Sequence, residues 1–335
     1  MKHVAVNGMG RIGRLVVRSL SSRDDVEIVA VNDVAPMKTI AYLLAHSTEY
    51  GAFPERVSYD ERAGELVLGA TRARALREAD ASALPWRELG VDVVLECSGA
   101  YCSRSKAAAH LDAGAKKVLI SAAAGSDVPT VVFGMNDSIL TDADDIVSGA
   151  SCSTVGLASL AKALNEVAPI KQAIATTIHA LTPTQMTLDD PQAKGNLRRS
   201  RTASENIIPT TAAFAQAVGL VLPELQGKLS GYAVRVPVTR GSLITLYAAV
   251  SYEGDGTLDA EKLNGLMRAH ESAIFGYTEE ELVSSDIAGT GLYSVFDATQ
   301  TKVSAFDGGY LVEVAAWFDN ETSYVSHFVK LLEAL

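Results

Sequence analysis

The feature that most constrains the fold is a set of three glycines near the amino terminus, Gly8, Gly10 and Gly13, spaced as G-x-G-x-x-G. They directly follow an apolar stretch, His3–Asn7, that is typical of a strand. They also open a stretch, Arg11–Ser22, whose apolar residues recur at helical spacing. In this context the first glycine makes a tight turn, the second lets backbone approach a ligand, and the third lets helix pack on strand. The pattern predicts an α/β unit that begins with a ligand-binding turn.

An acidic residue, Asp33, ends the next strand candidate, Val26–Asn32, and lies 20 residues beyond Gly13. Free N–H groups at the start of a helix bind phosphate, and a carboxylate at this distance accepts hydrogen bonds from the hydroxyls of an adenine ribose. We therefore predict a dinucleotide site in which Asp33 repels a 2′-phosphate and favours NAD over NADP. The alternative is a glycine-rich turn that binds no ligand.

The first 150 residues alternate between short apolar strands and helical stretches. The strand candidates are His3–Asn7, Val26–Asn32, Val91–Cys97, Lys117–Ser121, Thr130–Phe133 and Ile146–Ser148. Near-continuous apolar strands separated by helices are typical of a sheet covered on both faces. The sequence thus predicts an α/β fold for residues 1–151, a doubly wound parallel Rossmann sheet that an amphipathic helix over 322–335 completes.

The pattern changes after Cys152, where a helix is predicted over Ser153–Val167. The strand candidates that follow are Ala173–Leu181, Tyr232–Pro237, Leu243–Tyr252, Tyr293–Ser304 and Tyr310–Phe318. Several are joined directly or by loops, which favours a largely antiparallel or mixed sheet. We therefore predict an α+β domain over 152–321. Its segment Pro183–Ser204, rich in polar residues, Pro and Arg, is predicted to form a long loop of the kind that is usually functional.

Charge and composition exclude several classes of protein. The net charge of -11 over 335 residues leaves no surplus of Lys and Arg to neutralise a nucleic-acid backbone. The longest apolar runs are too short for a membrane-spanning helix, and the amino terminus has no signal-peptide pattern. The cysteines Cys97, Cys102 and Cys152 have no CxxC spacing and form no disulfide framework, which favours a reducing cytoplasm.

Cys152 is the candidate nucleophile, because it lies at the start of a predicted helix, where the helix dipole favours a thiolate and lowers the thiol pKa. A thiolate needs a base or an ion-pair partner, and His179 lies at the end of the strand candidate that follows. The alternatives are a buried structural thiol and a hydrogen-bonded core histidine. Cys97 and Cys102 are predicted to be packing residues.

The sequence resembles the phosphorylating glyceraldehyde-3-phosphate dehydrogenases over essentially its whole length. The matching stretches are NGMGRIGR (7–14), VND (31–33), LPW (84–86), HLDAGAKKVLISA (110–122), ASCST (150–154), TTIHALTPTQ (176–185), RRSRTASENIIPT (198–210), VLPELQGKLSGYAVRVP (221–237), GYTEEELVSSD (276–286) and WFDNE (317–321).

This resemblance implies that Cys152 attacks an aldehyde and that His179 removes a proton as the thiohemiacetal becomes a thioester. The residues implied at the NAD site are Gly8, Gly10, Arg11, Ile12, Gly13, Asp33, Ser98, Gly99, Ser121 and Asn320, the last holding the nicotinamide carboxamide. Those implied at the phosphate sites are Thr182, Thr184 and Arg235 for the substrate, and Ser151 and Ser153 for inorganic phosphate. The resemblance also implies that Pro183–Ser204 reaches a neighbouring subunit, which predicts a homotetramer.

The departures from the family pattern concern phosphate handling. Val155 replaces a usual Asn, and Ala212-Ala213 replace the Thr-Gly that completes the site for attacking phosphate. Thr211, one position earlier, and Arg240, where the family usually has Asn, are the residues that could compensate. Thr322-Ser323 also replace a usual Trp-Gly.

The leading hypothesis is NAD-dependent oxidation of glyceraldehyde 3-phosphate to 1,3-bisphosphoglycerate, a step of glycolysis. One alternative is a relative that oxidises another phosphorylated aldehyde, such as erythrose 4-phosphate. Another is a cofactor-binding interaction protein that has lost turnover. No metal is predicted, and neither nucleic acid nor a membrane is an expected partner.

Overall fold

A computed structural model of the chain describes residues 1–192, 195–211 and 213–335. The chain divides into two units, Met1–Ala150 with His327–Leu335, and Ser151–Ser326. In its described part no helix is long and apolar enough to cross a membrane, and no group of three or more His, Cys, Asp or Glu is placed to bind a metal ion.

The first unit is built on an eight-stranded sheet in which parallel pairing predominates. The unit has ten strands in its described residues, which are, in chain order, β1 (Lys2–Asn7), β2 (Val26–Asn32), β3 (His46–Ser47), β4 (Gly51–Ala52), β5 (Val57–Asp60), β6 (Glu65–Leu68), β7 (Thr71–Leu76), β8 (Val93–Glu96), β9 (Lys117–Ile120) and β10 (Ile146–Ser148). The sheet runs β10-β9-β8-β1-β2-β7-β6-β5, while β3 and β4 form a separate pair. Strands β10 to β7 are parallel, and β6 and β5 add an antiparallel edge.

Three helices belong to this unit: α1 (Arg11–Leu20), α2 (Met37–Ala45) and α3 (Arg104–Asp112). Helix α1 buries Leu15, Val16 and Leu20, as its apolar spacing predicts. The central strands are buried throughout, since Val4, Val6 and Val94 have no exposed surface. The predicted Rossmann-type α/β class is therefore correct for this half of the chain.

The second unit is built on a seven-stranded mixed sheet. Its strands are β11 (Ile170–His179), β12 (Ile208–Thr211), β13 (Leu229–Arg235), β14 (Ser242–Val250), β15 (Phe275–Thr278), β16 (Ser294–Phe306) and β17 (Gly309–Phe318), in the order β12-β13-β11-β14-β17-β16-β15. Only the β11–β13 and β15–β16 pairs among them are parallel in the described residues. The predicted mixed sheet is thus correct.

The remaining helices are α4 (Cys152–Val167), α5 (Phe214–Val221), α6 (Ala260–Arg268) and α7 (Thr322–Lys330), followed by a 3₁₀ turn over Leu331–Ala334. Helix α4 is buried along most of its length, and a side chain at Gly156 would meet the Cδ1 atom of Ile244 at 3.0 Å. This close approach seats the amino-terminal turn of α4 against the sheet.

One strand prediction is wrong. Residues 130–133 form only an isolated parallel bridge between Thr130 and Ser148, because turns interrupt the apolar run on both sides. Strands β5 to β7 were not predicted. They alternate apolar with charged residues, as in Thr71–Leu76, and their pattern is that of a solvated edge rather than of a buried strand.

The described residues of 183–204 form turns but neither helix nor strand, as predicted; Ala193 and Lys194 lie outside the described residues. The Asp189 carboxylate accepts hydrogen bonds from the backbone N–H of Thr202 and from Arg201, and the Met186 carbonyl accepts one from the Ala203 N–H. These bonds fold the two ends of the loop against each other.

Candidate active site

The glycine turn between β1 and α1 has no room for side chains at two positions. Gly8 has φ +95°, and a Cβ there would lie 2.4 Å from the Ser98 nitrogen. A Cβ on Gly13 would lie 1.9 Å from the Gly8 oxygen. Space is open around Gly10, which is the N-cap of α1 and has no side chain to cap it. The helix start, with Arg11 and Ile12 as its first residues, therefore offers backbone N–H groups to an anion.

Asp33 lies beside this turn and is held by backbone. Its Oδ2 accepts a hydrogen bond from the Met9 N–H at 2.6 Å, and its Oδ1 accepts one from the Ala35 N–H at 2.8 Å. A cleft of about 390 Å³ opens next to it, lined by Gly8, Gly10, Asn32, Asp33, Ser98 and Tyr101 among others. The shape and donor set fit the adenosine and pyrophosphate portions of a dinucleotide.

A buried hydrogen-bond network that was not predicted holds Ser98 in this cleft. The Glu96 carboxylate accepts from the Ser98 N–H at 2.7 Å and the Ser98 hydroxyl at 2.5 Å, and also from the Asn7 amide at 2.5 Å. The His110 ring nitrogen Nε2 lies 3.0 Å from the same carboxylate. Gly99, with φ +74°, follows in the turn after β8, and Ser121 follows β9, where its N–H donates to the Glu96 carbonyl. Asn7, Glu96 and Ser121 thus all lie at the carboxyl ends of parallel strands.

Cys152 is the first residue of α4. Ala150, two residues earlier, has φ +58°, a conformation that costs a non-glycine residue about 1–2 kcal/mol. Ser151 caps the helix, since its hydroxyl accepts from the Thr154 N–H at 3.3 Å. The Cys152 sulfur lies 3.4 Å from His179 Nε2 and 4.0 Å from the Ser153 hydroxyl. The structure therefore brings the predicted pair within hydrogen-bond distance.

His179 and Arg235 are register partners at the carboxyl ends of the parallel strands β11 and β13. Arg235 Nη1 lies 2.6 Å from His179 Nδ1 and 3.2 Å from the Ala180 carbonyl oxygen, which itself lies 2.7 Å from Nδ1. The Phe318 ring packs edge-on against the imidazole. Because strand register sets this contact, no motif in the sequence indicates it.

Burial dominates the protonation of these groups. Burial, with a smaller contribution from Arg235, lowers the pKa of His179 to about 3, so the ring is neutral at physiological pH. Burial also lowers the pKa of Arg235 to about 10, which leaves the guanidinium charged. Burial raises the pKa of Cys152 above the ordinary value of a thiol, although the nearby Arg235 opposes part of this rise. The predicted lowering of the thiol pKa is therefore wrong for the protein without ligands, because desolvation outweighs the helix start and the nearby cation.

A group of hydroxyls and guanidiniums lies beyond the end of β11. The Thr182 and Thr184 hydroxyls are 3.0 Å apart, and Arg199 Nη1 donates to Thr184 Oγ1 at 2.5 Å. Arg199 also lowers the pKa of Arg235, so the two cations act on the same region. Arg199 was not predicted; the only signal for it was the run RRSR within the long loop.

The residues assigned to inorganic phosphate, Ser151, Ser153 and Thr211, all lie in the described part of the chain. Ser153 is buried in the first turn of α4, and Thr211 ends β12 with an exposed side chain. Ala212 lies outside the described residues, and Ala213 precedes α5. Val155 is buried in α4.

Arg240 is paired with a carboxylate. Its Nη2 donates to Asp319 at 2.9 Å and to the Thr322 hydroxyl at 3.4 Å, and the Asp319 side chain is fully buried. Asp319 also accepts from the N–H groups of Gly289 and Glu321. A guanidinium bound to a buried carboxylate contributes little net charge to a phosphate site, which argues against Arg240 as a replacement ligand.

Asn320 follows Asp319 and is buried. The Ser242 hydroxyl donates to its Oδ1 at 3.5 Å and accepts from the Ala180 N–H at 3.1 Å. The residue next to His179 and the residue implied for the nicotinamide carboxamide are therefore joined through Ser242. That connection was not predicted from the sequence.

Comparisons with known proteins agree with this arrangement. The family model "Glyceraldehyde 3-phosphate dehydrogenase, NAD binding domain" matches residues 2–104, and "Glyceraldehyde 3-phosphate dehydrogenase, C-terminal domain" matches residues 151–320. The chain is 44% identical over 333 residues to the glyceraldehyde-3-phosphate dehydrogenase of Clostridium pasteurianum, covering 99% of this chain and 98% of that protein.

Two further relatives carry the same name. That of Lactobacillus delbrueckii subsp. bulgaricus is 44% identical over 334 residues, with 98% and 97% of the two chains covered. That of Streptococcus pyogenes is 43% identical over 331 residues, with the same coverage. With an NAD-binding first half and a thiol–imidazole pair in the second, the chain is an NAD-dependent oxidoreductase that belongs to the glyceraldehyde-3-phosphate dehydrogenase family.

Proposed function

We propose that this chain oxidises glyceraldehyde 3-phosphate to 1,3-bisphosphoglycerate through a thioester on Cys152, the glycolytic reaction that its relatives' names indicate. The observation that carries the proposal is the 3.4 Å contact between the Cys152 sulfur and His179 Nε2 at the start of α4. A nucleophile and a base in this geometry are the minimum set for covalent acyl chemistry.

The chemistry of the chain's own groups follows from this contact. The Cys152 sulfur adds to the aldehyde carbon, and the neutral His179 accepts the hydroxyl proton when the carbon is oxidised to a thioester. NAD, when bound, takes up the hydride. Inorganic phosphate then attacks the thioester carbon, the acyl phosphate departs, and the thiolate of Cys152 is regenerated. A neutral ring is required for the proton-accepting step, and burial keeps His179 neutral.

For NAD we propose the residues that the family resemblance implies. We propose that the pyrophosphate is bound by the backbone of Gly8, Gly10, Arg11, Ile12 and Gly13, and the ribose by Asp33. Ser98 lines the cleft, and we propose that Gly99 and Ser121, in the turns after β8 and β9, also contact the cofactor. Asn320 serves the nicotinamide carboxamide. The open space at Gly10, and the close packing at Gly8 and Gly13, support the assignment to the pyrophosphate.

For the substrate phosphate we propose Thr182, Thr184 and Arg235, joined by Arg199. Among the described residues Arg235 has no carboxylate partner, and its Nε is buried without an acceptor. A partly buried guanidinium whose Nε–H lacks an acceptor favours binding of an oxyanion such as phosphate. Ser151, Ser153 and Thr211 are proposed for the attacking phosphate.

Steady-state NADH formation tests the proposal directly. Glyceraldehyde 3-phosphate, erythrose 4-phosphate and unphosphorylated glyceraldehyde are each supplied with and without inorganic phosphate. Phosphate-dependent NADH formation that is fastest with glyceraldehyde 3-phosphate supports the proposal. Preference for erythrose 4-phosphate supports the first alternative, and NAD binding without turnover supports an interaction protein.

We also propose a homotetramer in the cytoplasm. One face of the seven-stranded sheet carries exposed apolar side chains, including Ile174 at 56%, Leu311 at 50% and Tyr247 at 43%. Ile174 and Tyr247 are cross-strand neighbours, so the apolar surface is continuous there. Such a face is typical of a subunit contact. Sedimentation of the wild type and of Ile174→Asp tests the proposed assembly. A wild-type monomer, or an unchanged assembly in the variant, contradicts the proposal.

The proposed cytoplasmic location rests on the cysteines. The free thiols of Cys97, Cys102 and Cys152 support a reducing compartment.

A further inference from the structure

Three of the residues that depart from the family pattern lie together in the structure, around the buried carboxylate of Asp319. Arg240 Nη2 donates to Asp319 Oδ2 at 2.9 Å and to the Thr322 hydroxyl at 3.4 Å. The Ser323 hydroxyl accepts from the Asp319 N–H at 3.1 Å and donates to the Thr290 carbonyl at 3.3 Å. The departures are therefore linked to one another through a single acidic residue, although they come from separate segments of the chain.

Strand pairing brings Arg240 to this carboxylate. Ser242, at the start of β14, is the register partner of Phe318, at the end of β17, so the residues just before β14 lie beside those just after β17. The turn before β14 is also closely packed. Gly241 has φ +78°, and a Cβ there would lie 1.9 Å from the Ser284 oxygen. The backbone at this turn therefore holds the guanidinium where it is.

The same carboxylate closes a turn around Asn320. Asp319 Oδ1 accepts from the N–H groups of Glu321 at 2.8 Å and Thr322 at 2.9 Å, so its two bonds span the backbone of Asn320. Bonds from a carboxylate to backbone two and three residues further on restrain such a turn. Among the described residues, Arg240 is the only side chain that donates to this carboxylate. Without the guanidinium the buried charge would be uncompensated, and the turn would lose a partner that holds it.

We propose that Arg240 is a positioning residue for Asn320: it fixes the turn that carries the amide for the nicotinamide carboxamide. The inference rests on the proposed function for that role of Asn320. The contact of the Ser242 hydroxyl with Asn320 Oδ1 is 3.5 Å, which is long for a hydrogen bond. The turn, rather than this contact, therefore determines where the amide lies.

Binding of NAD and of ADP-ribose, measured by calorimetry without an aldehyde, tests the proposal. ADP-ribose lacks the nicotinamide, so the dissociation constant of NAD divided by that of ADP-ribose reports on the nicotinamide end alone. Asn320→Ala should raise this ratio about tenfold, because the carboxamide loses a hydrogen-bond partner. Arg240→Gln should raise it about three- to tenfold, because the amide is present but no longer held.

Two further variants serve as rescue and control. Arg240→Lys should restore most of the wild-type ratio, because one nitrogen makes both contacts to the turn and an ammonium can replace it. Arg268→Gln breaks an exposed pair with Glu279 and should leave the ratio unchanged.

The double variant separates positioning from general structural support. If Arg240 acts through Asn320, Arg240→Gln should not raise the ratio further in the Asn320→Ala background. A purely structural ion pair would instead change both dissociation constants by the same factor. Equal losses for the two ligands in Arg240→Gln, or additive effects on the ratio in the double variant, overturn the proposal.

Thr322→Val decides the matter if Arg240→Gln fails to fold, because it removes one contact of Arg240 and leaves the ion pair. It should raise the ratio about twofold or more, and an unchanged ratio would overturn the proposal. An unchanged ratio in Asn320→Ala overturns this inference together with the role proposed for Asn320. A change in that variant without one in Arg240→Gln overturns the inference alone.

Discussion

Each unit of the molecule contains a buried histidine that has a polar partner at both ring nitrogens. In the first, the Trp86 indole donates to His110 Nδ1 at 3.0 Å, so Nε2 donates to the Glu96 carboxylate. In the second, Arg235 lies against His179 Nδ1, and Nε2 faces the Cys152 sulfur. Both arrangements lie at the carboxyl ends of parallel strands, where Asn7 pairs with Glu96 and His179 pairs with Arg235.

The difference between them lies in the partners. In the first unit a neutral donor and a carboxylate satisfy His110, and Glu96 is further bound by Asn7 and Ser98. In the second unit the guanidinium of Arg235, which has no carboxylate partner among the described residues, and the Ala180 carbonyl oxygen both contact Nδ1 of His179, and Nε2 faces a thiol. A buried network in which all members are satisfied stabilises structure, whereas one with an unpaired charge is available to a ligand. Burial of a histidine therefore does not by itself indicate a catalytic function.

The largest expected effect is that of Cys152→Ser, which tests the reactive member of the second site. An unactivated hydroxyl is a far weaker nucleophile than a thiolate, so turnover should fall by at least about a thousandfold. NAD binding, measured by calorimetry, should persist. Cys102→Ser is the matched control and should keep near-normal turnover. A Cys152→Ser variant with a tenth of wild-type activity would remove this thiol from the mechanism.

The two histidines themselves provide a matched pair of substitutions. His179→Asn should lower the turnover number by about a hundred- to ten-thousandfold, because a positioned base is lost. His110→Asn should lower the free energy of unfolding by about 1–3 kcal/mol, because buried partners lose their hydrogen bonds. Urea denaturation and steady-state kinetics on both variants separate the effects. A large loss of turnover in His110→Asn without loss of stability would contradict the structural role that we assign to His110.

Two partly buried arginines in the second unit differ in the same way, since one has a carboxylate partner and the other has none among the described residues. Arg235→Leu should lower kcat/KM for the phosphorylated aldehyde by about ten- to a hundredfold more than for glyceraldehyde, because charge-assisted bonds to phosphate are lost. Arg240→Leu should instead destabilise the fold by about 3–5 kcal/mol, because it leaves the buried Asp319 unpaired. Equal losses on both aldehydes in Arg235→Leu would indicate a structural role for Arg235.

The phosphate that attacks the thioester should be bound weakly, because Ala212 has no hydroxyl to donate. A hydroxyl bond of this kind contributes about 1 kcal/mol or somewhat more, which corresponds to roughly a tenfold change in a Michaelis constant. Ala212→Thr should therefore lower the Michaelis constant for phosphate by about that factor, as measured by phosphate titration of NADH formation. An unchanged constant in Ala212→Thr, together with a large rise in the conservative variant Arg240→Lys, would restore Arg240 as the ligand.

The smallest effect expected is on cofactor choice in the first unit. Asp33→Ala should narrow the preference for NAD over NADP several-fold, because the carboxylate that faces a 2′-phosphate is removed. The ratio of kcat/KM with the two cofactors measures it. Equal efficiencies in the unmodified protein would contradict the role of Asp33.

The spacing of apolar residues along the chain was sufficient to predict much of the fold. Strands β2 and β10 have the bounds predicted from their apolar runs, and α4 begins within one residue of its prediction. The charged edge strands β5 to β7 were not predicted, because a solvated edge strand has no continuous run of apolar residues. Residues 130–133 had that signal without forming a strand, since pairing with a neighbour, not hydropathy, completes a strand.

By itself the sequence determined the groups that local chemistry makes recognisable. The glycine spacing, Asp33 and the position of Cys152 at a helix start follow from constraints between near neighbours in the chain. The tertiary structure alone decided the partners of the buried polar groups. It placed Arg235 against His179 through strand register, Arg240 against Asp319 across 79 residues, and Glu96 under Ser98. Such partners depend on which strands pair and how deeply each group is desolvated, and both are properties of the whole fold rather than of any segment.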